Sequence, residues 1–397
     1  VLTAVTEKLV GLDPKRTPLL IPDAFWSARP VLAQIRQAAW CRARSADTVL
    51  HAALARVAAG TSHTVKLPPV VGSRVPLTYF AAVVGPAGTG KSSGCDVAGE
   101  LVPLGPDVAD NLPIGSGEGL VEVLFDFVKE EDDRGKIVTV KRQVRHNAFI
   151  YVDEAQALTA VGTRAGSTTL STLRTAWTGG PIGQTNASAE RKRLVPAGQY
   201  VYGLVMGVQP ALAGPLLDDV AAGTPQRFAW CWGLDPAIPD IAPDWPGSLG
   251  WTPPDPGTLA PLRSKAGPFV THDIPVDDAV STEIRTRALD RTRGTTVVDP
   301  LDAHADLLRL KVAALLGILD GQVAVTAEDW MLAGMVTATS IAVRGYVQAV
   351  LSAESRDREQ ATAERLARRQ VAADSAVTEN RVVKVADRIR SLVAQQP

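Results

Sequence analysis

The chain has 397 residues, 46% hydrophobic and 21% charged, with 41 Lys and Arg against 42 Asp and Glu for a formal net charge of −1. That length buries a full core and divides into more than one lobe, and the even charge balance confines any nucleic-acid contact to local patches. Cys41, Cys95 and Cys231 are widely spaced, which excludes a disulfide framework and a structural zinc site and points to a reducing compartment. No apolar run nears the roughly 20 residues of a membrane span, and the N-terminus lacks a secretory pattern, so no membrane partner and a cytoplasmic location are expected. Val1 in place of an initiator methionine points to a processed chain or a piece of a longer product.

In chain order, "FWSARPVLAQIRQAAWCRARSADTVLHAALARVAAG" (25–60) predicts two amphipathic helices divided near Ser45, a candidate N-cap, within an N-terminal helical region spanning 1–76. From 77 to 234, β-type runs at 77–84, 148–152, 199–208 and 228–232 alternate with helical ones, which predicts an α/β core with helices packed on a sheet. The Pro/Gly-rich stretch 235–275 is expected to be a linker between lobes. Helices follow at 276–293, 301–320 and 327–352, forming a helical lid over 276–352. "VTAEDW" (325–330) carries a capping box, Thr326 with Asp329, and a hydrophobic staple, Val325 with Trp330. Residues 353–374 are helix-prone but polar on nearly all sides, as in a solvated helix or linker. A new apolar stripe at Val382, Val385, Ile389 and Leu392 makes 353–397 a polar helix followed by a candidate start of a winged-helix module.

"LTYFAAVVGPAGTGKSSGCDVAGE" (77–100) runs from an apolar strand into "GPAGTGKS", which satisfies G-x-x-x-x-G-K-[ST]. Glycines let backbone N–H groups turn inward onto phosphate oxygens, and the following helix adds its N-terminal dipole. Gly85, Pro86, Ala87, Gly88, Thr89 and Gly90 would form the cradle, with Lys91, Ser92 and Ser93 opening the helix. Lys91 would reach the β- and γ-phosphates, and the Ser92 hydroxyl would take a place on Mg²⁺. "AFIYVDEAQAL" (148–158) is an apolar strand ending in two acids: Asp153 would hold Mg²⁺ and Glu154 would polarise the attacking water. Together these motifs predict a P-loop NTPase core using ATP and Mg²⁺.

"YVYGLVMGV" ends at Gln209, which either senses the γ-phosphate or orients water, or is an ordinary strand-end amide. Arg227, just before the fourth β-type run, is a candidate arginine finger for a neighbour's nucleotide, against a structural salt bridge. Arg309 and Lys311 are candidates for a lid residue on phosphate, with a solvated or snorkelling charge as the alternative. Phosphate loop, acidic strand, polar-ended strand, arginine and helical lobe, in that order, resemble the AAA+ class of ATPases.

The segments "FWSARPVLAQIRQAA", "GPAGTGKS", "GSGEGL", "YVDEAQAL", "TLRTAWTGG" and "LLDDVAAGTPQRF" resemble a family of actinobacterial and actinophage ATPases. Those are often fused to, or encoded beside, primase-polymerase modules and act as replication helicases of mobile elements. The resemblance spans about 25–350 and implies an ATP-driven, ring-forming, hexameric helicase, a separately encoded primase or polymerase as partner, and often a winged helix at the end. Two features depart from it: residues before 77 leave no room for a primase-polymerase domain, and only one helix, 382–393, stands where a winged helix would begin.

Two basic stretches fit single-stranded DNA. "RGKIVTVKRQVRHN" (134–147) alternates like a β-hairpin arm and carries Lys136, Lys141, Arg142, Arg145 and His146. "GGPIGQTNASAERKRLVPAGQ" (179–199) reads as a second hairpin with Arg191, Lys192 and Arg193, placed to line a ring's pore; the alternative is a solvated charge run. Three functions follow: a Mg-ATP-driven DNA helicase or translocase for phage or mobile-element replication, an ATP-dependent assembly switch acting on a protein partner, or a scaffold with a vestigial site. The intact Lys91, Ser92, Asp153 and Glu154 set disfavours the third.

Overall fold

The computed structural model describes residues 20–394 apart from 71, 115, 134, 156–157, 159–166, 185–192, 260, 264–269 and the side chain of Leu392. After one helical turn at Asp23–Trp26 come helices α1 (Pro30–Cys41) and α2 (Ala46–Gly60), divided at Ser45, which has the extended backbone of an N-cap but donates its hydroxyl to the Trp232 carbonyl at 2.7 Å instead of capping α2. Short strands β1 (Val65–Leu67) and β2 (Val75–Pro76) follow, then β3 (Tyr79–Val84) and α3 (Lys91–Leu101). Next come β4 (Val108–Leu112), α4 (Gly117–Glu122), β5 (Phe125–Glu131), β6 (Ile137–Gln143), β7 (Asn147–Val152) and α5 (Thr169–Thr178). The strands continue with β8 (Ile182–Gln184), β9 (Arg193–Val195), β10 (Val201–Val208), β11 (Phe228–Trp232), β12 (Pro261–Arg263) and β13 (Val270–Asp273). Helices α6 (Asp278–Arg293), α7 (Ala305–Leu319) and α8 (Ala327–Val393) close the described chain.

The core is a mixed α/β arrangement around a five-stranded, all-parallel sheet in the order β11-β3-β10-β7-β4. Strands β3, β10 and β11 are buried at every residue, which explains their unbroken apolar runs: a parallel sheet is covered on both faces. Gly203 of β10 faces α2 at Ala55, while the next-door Tyr202 points the other way and donates to the Leu120 carbonyl of α4 at 2.6 Å. Helix α2 is buried along nearly its whole length, so the N-terminal helices are part of this core, and β1 and β2 also lie within the region expected to be purely helical.

The 235–275 stretch departs from the expectation of a plain linker. Its first part is irregular apart from one short 3₁₀ turn, but β12 and β13 build a second small sheet, β12-β13-β1-β2, in which β13 runs parallel to β1. Three- and four-residue strands are too short to show periodicity among prolines and glycines. The irregular part is also tied down: Trp40 Nε1 donates to Asp235 at 2.9 Å, and the buried Trp251 indole to the Ile318 carbonyl at 3.1 Å.

The capping box is present, with Asp329 N–H on Thr326 Oγ1 at 3.1 Å and Thr326 N–H on Asp329 Oδ2 at 2.8 Å, beside buried Val325 and Trp330. Helix α8 does not stop at 352. It runs 67 residues, its polar part in water, and 382–393 continues the same helix rather than opening a new module. No helix among the described residues is long and apolar enough to cross a membrane.

Candidate active site at the carboxyl ends of the strands

Strand register gathers the predicted residues. Val84 of β3 is level with Val208 of β10, and Val152 of β7 is level with Met206. The residues that follow those strands therefore emerge side by side: Gly85, Gln209, and Asp153 with Glu154. The loop from Gly85 to Gly90 turns back through left-handed backbone at Gly88 (φ 79°) and Gly90 (φ 75°), and α3 begins at Lys91. Lys91 Nζ folds onto the loop, donating to the carbonyls of Gly85 at 3.1 Å and Pro86 at 2.8 Å. Partial burial lowers its pKa, while the carboxylates of Asp153 and Glu154 work against that shift.

A Cβ at Gly207 would collide with the Asp153 carbonyl oxygen and lie 3.2 Å from Lys91 Cε, so this glycine lets the acidic strand end and the lysine pack together. Gln209 Nε2 donates to Glu154 Oε1 at 3.2 Å. Tyr151 donates its phenol to Asp153 Oδ1 at 2.8 Å and lines a cleft together with Ser92. Behind the loop, Arg44 lies against Gly90 and donates from Nε to Ser93 Oγ at 2.5 Å. Sequence reasoning missed Tyr151, Gly207 and Arg44. Tyr151 lies within the motif itself, two residues before Asp153, whereas Arg44 comes from a distant loop.

The donor set fits a magnesium-nucleotide. The Ser92 hydroxyl and the Asp153 carboxylate are hard oxygen donors, and the Lys91 ammonium closes a glycine-rich cradle beside them. Among the described residues there is no cluster of three or more His, Cys, Asp or Glu side chains able to hold a metal ion; Mg²⁺ shared with phosphates needs only one or two carboxylates. A cleft of about 550 Å³ between α3, β4 and β7 reaches the start of α3 at Ser92 and the end of β7 at Tyr151, and carries Asp96, Glu100 and Asp110 on its walls.

Other predicted residues lie elsewhere. Arg227 precedes Phe228, which is level with Phe80, so it sits at the opposite end of the sheet, about 16 Å below Val84 at 3.3 Å per residue. It donates to the Gly223 carbonyl and lies 5.8 Å from the Trp177 ring centroid; burial, then the like charge of Arg174, pull its pKa down to about 10. Lys311 and Arg309 bond carbonyls within the fold rather than reaching the loop, and Lys311 is not the solvated or snorkelling charge of the alternative reading either. Lys311 is fully buried because α7 lies inside the core, and its ammonium donates to the carbonyls of Thr78 at 2.7 Å and Trp177 at 2.6 Å. Arg309 stacks on Trp330 at 3.9 Å and donates to its carbonyl.

Both hairpins exist as two-stranded ladders, β5–β6 and β8–β9. Three of their cations are paired. Lys141 and Arg193 share Glu122, and Arg142 grips Glu130 through two hydrogen bonds at 2.9 and 2.8 Å. Partial burial would raise the Glu122 pKa, but its bonds from Lys141 and Arg193 hold it below the usual range. Arg145 makes no ion pair among the described residues, and Arg191 and Lys192 lie outside them. Comparison with protein-family models and with characterised proteins finds no match to this chain.

Proposed function

We propose that this chain is a Mg-ATP-hydrolysing, ring-forming DNA helicase or translocase for phage or mobile-element replication, built on an AAA+-like P-loop core. The observation that carries the reading is the register that sets Gly85–Ser92, Asp153, Glu154 and Gln209 at the carboxyl ends of three adjacent parallel strands. From β3 the chain crosses to β4 at the far edge and later returns to β11 on the other side, so this crevice is a topological switch point, where open α/β sheets take ligands.

In this reading the loop backbone and the start of α3 receive the phosphates, and Lys91 exchanges the Gly85 and Pro86 carbonyls for phosphate oxygens. Ser92 and Asp153 would hold Mg²⁺, which would supply positive charge against that of the phosphoryl oxygens. Glu154 takes a proton from the attacking water, and Gln209 fixes the carboxylate that does so. Arg227 is too far from its own loop to serve it, so it acts on a neighbouring copy's nucleotide in a homo-oligomeric ring. The β5–β6 and β8–β9 arms contact single-stranded DNA, and a separately encoded primase or polymerase is the expected partner.

A second reading, an ATP-dependent assembly switch on a protein partner, is favoured by the pairing of Lys141, Arg142 and Arg193 with carboxylates. Each neutralised cation removes part of the counterion release that drives DNA binding. Steady-state ATP hydrolysis with and without single-stranded DNA, over a range of protein concentration, separates them. Strong stimulation is expected of the motor; hydrolysis indifferent to DNA at every concentration would overturn it in favour of the switch.

A further inference from the structure

Tyr151 lies two residues before Asp153, near the end of β7, and Asp153 directly follows that strand. Its phenol donates to Asp153 Oδ1 at 2.8 Å and it lines one cleft together with Ser92, so it stands beside both groups that hold the cation in the reading above. Among the described residues it is the one hydrogen-bond donor to the Asp153 carboxylate. The neighbouring carboxylate is managed differently: Glu154 is held by the Gln209 amide. Each acid thus has its own neutral partner, and the two can be perturbed separately.

We infer that Tyr151 is a positioning residue for the magnesium site, resting on the nucleotide-binding reading. The phenol fixes the rotation of the Asp153 carboxylate by holding Oδ1, which leaves Oδ2 for the ion. Without it the carboxylate rotates freely, and binding the ion has to order it. Partners that orient metal ligands typically change metal affinity by about 10- to 100-fold when removed. The phenol keeps its proton throughout and takes no part in the chemical step.

The test is equilibrium binding of a non-hydrolysable ATP analogue to the full chain, titrated with Mg²⁺, for the wild type and Tyr151→Phe. Phenylalanine keeps the ring and removes the one oxygen. The expected result is that half-maximal tightening of analogue binding needs about tenfold more Mg²⁺ in the variant. Analogue affinity without Mg²⁺ and the thermal midpoint stay at wild-type values, as a merely structural role would not allow. Superimposable Mg²⁺ titrations, or a lower Mg²⁺ requirement in the variant, overturn this inference and leave the nucleotide site standing. A wild type that shows no Mg²⁺-dependent analogue binding overturns the nucleotide site itself, and the inference with it.

Discussion

Gly207 is where the site depends most plainly on the absence of a side chain: any larger residue would push the Asp153 carbonyl and Lys91 apart. Titratable residues deeper in the fold set its acid limit. Burial pulls the pKa of His51 and His63 down to about 3 and that of His304 to about 4, with the stacked His146 ring and Lys66 adding to the effect at His63. The unfolded chain takes up these protons near pH 6.5 while the fold refuses them, so stability falls as pH drops from about 6.5 towards 3. Asp47 works in the opposite sense: burial, then Asp235, raise its pKa to about 7, and stability is lost as pH rises from about 4 to 7. His63→Gln is therefore expected to flatten the loss of denaturant midpoint between pH 6.5 and 4, relative to wild type; an unchanged slope would contradict a buried neutral His63. Lys91, Ser92, Asp153 and Glu154 were readable because each motif directly follows an apolar run that could only be a buried strand. Arg44, Lys311 and the partners of Lys141 were not, because their roles come from residues far away in the chain.

At the scale of elements, two features were hidden from sequence. Strand β5 carries "FDFVKEE", too charged to stand out, yet it pairs with β6 over seven positions and makes the arm that 134–147 only half described. Helix α8 passes through the expected break because no Gly or Pro lies between 346 and 396, and Ala, Arg and Glu sustain a helix that touches nothing. Ion pairs such as Arg358 with Glu354 add only a few tenths of a kcal/mol each. Because residues 355–385 are exposed on every face, ending the chain after Ser352 is expected to leave the thermal midpoint within about 2 °C of the full chain. A drop of more than about 5 °C would show that the distal helix supports the core.

Across the whole molecule, the sheet separates the crevice from the hairpins. The crevice lies at the carboxyl ends of β3, β7 and β10, whereas both hairpins enter the sheet at the amino ends of β7 and β10, on the same side as Arg227. A nucleotide at one end and DNA or a neighbouring copy at the other would communicate along strands about 20 Å long, with Glu154 and Gln209 at their tips. Lys311 braces this path by tying α7 to Thr78 before β3 and to the end of α5. Everything in that account rests on the crevice being a hydrolytic magnesium-nucleotide site. The measurement that tests it most directly is Mg²⁺-dependent ATP hydrolysis by the wild-type chain beside Glu154→Gln, with nucleotide binding followed in both. Turnover by the wild type, and a variant that binds ATP as tightly but turns over at least about 100-fold more slowly, is the predicted result. Equal turnover by the two proteins, or none by the wild type with Mg²⁺ in excess, would contradict it.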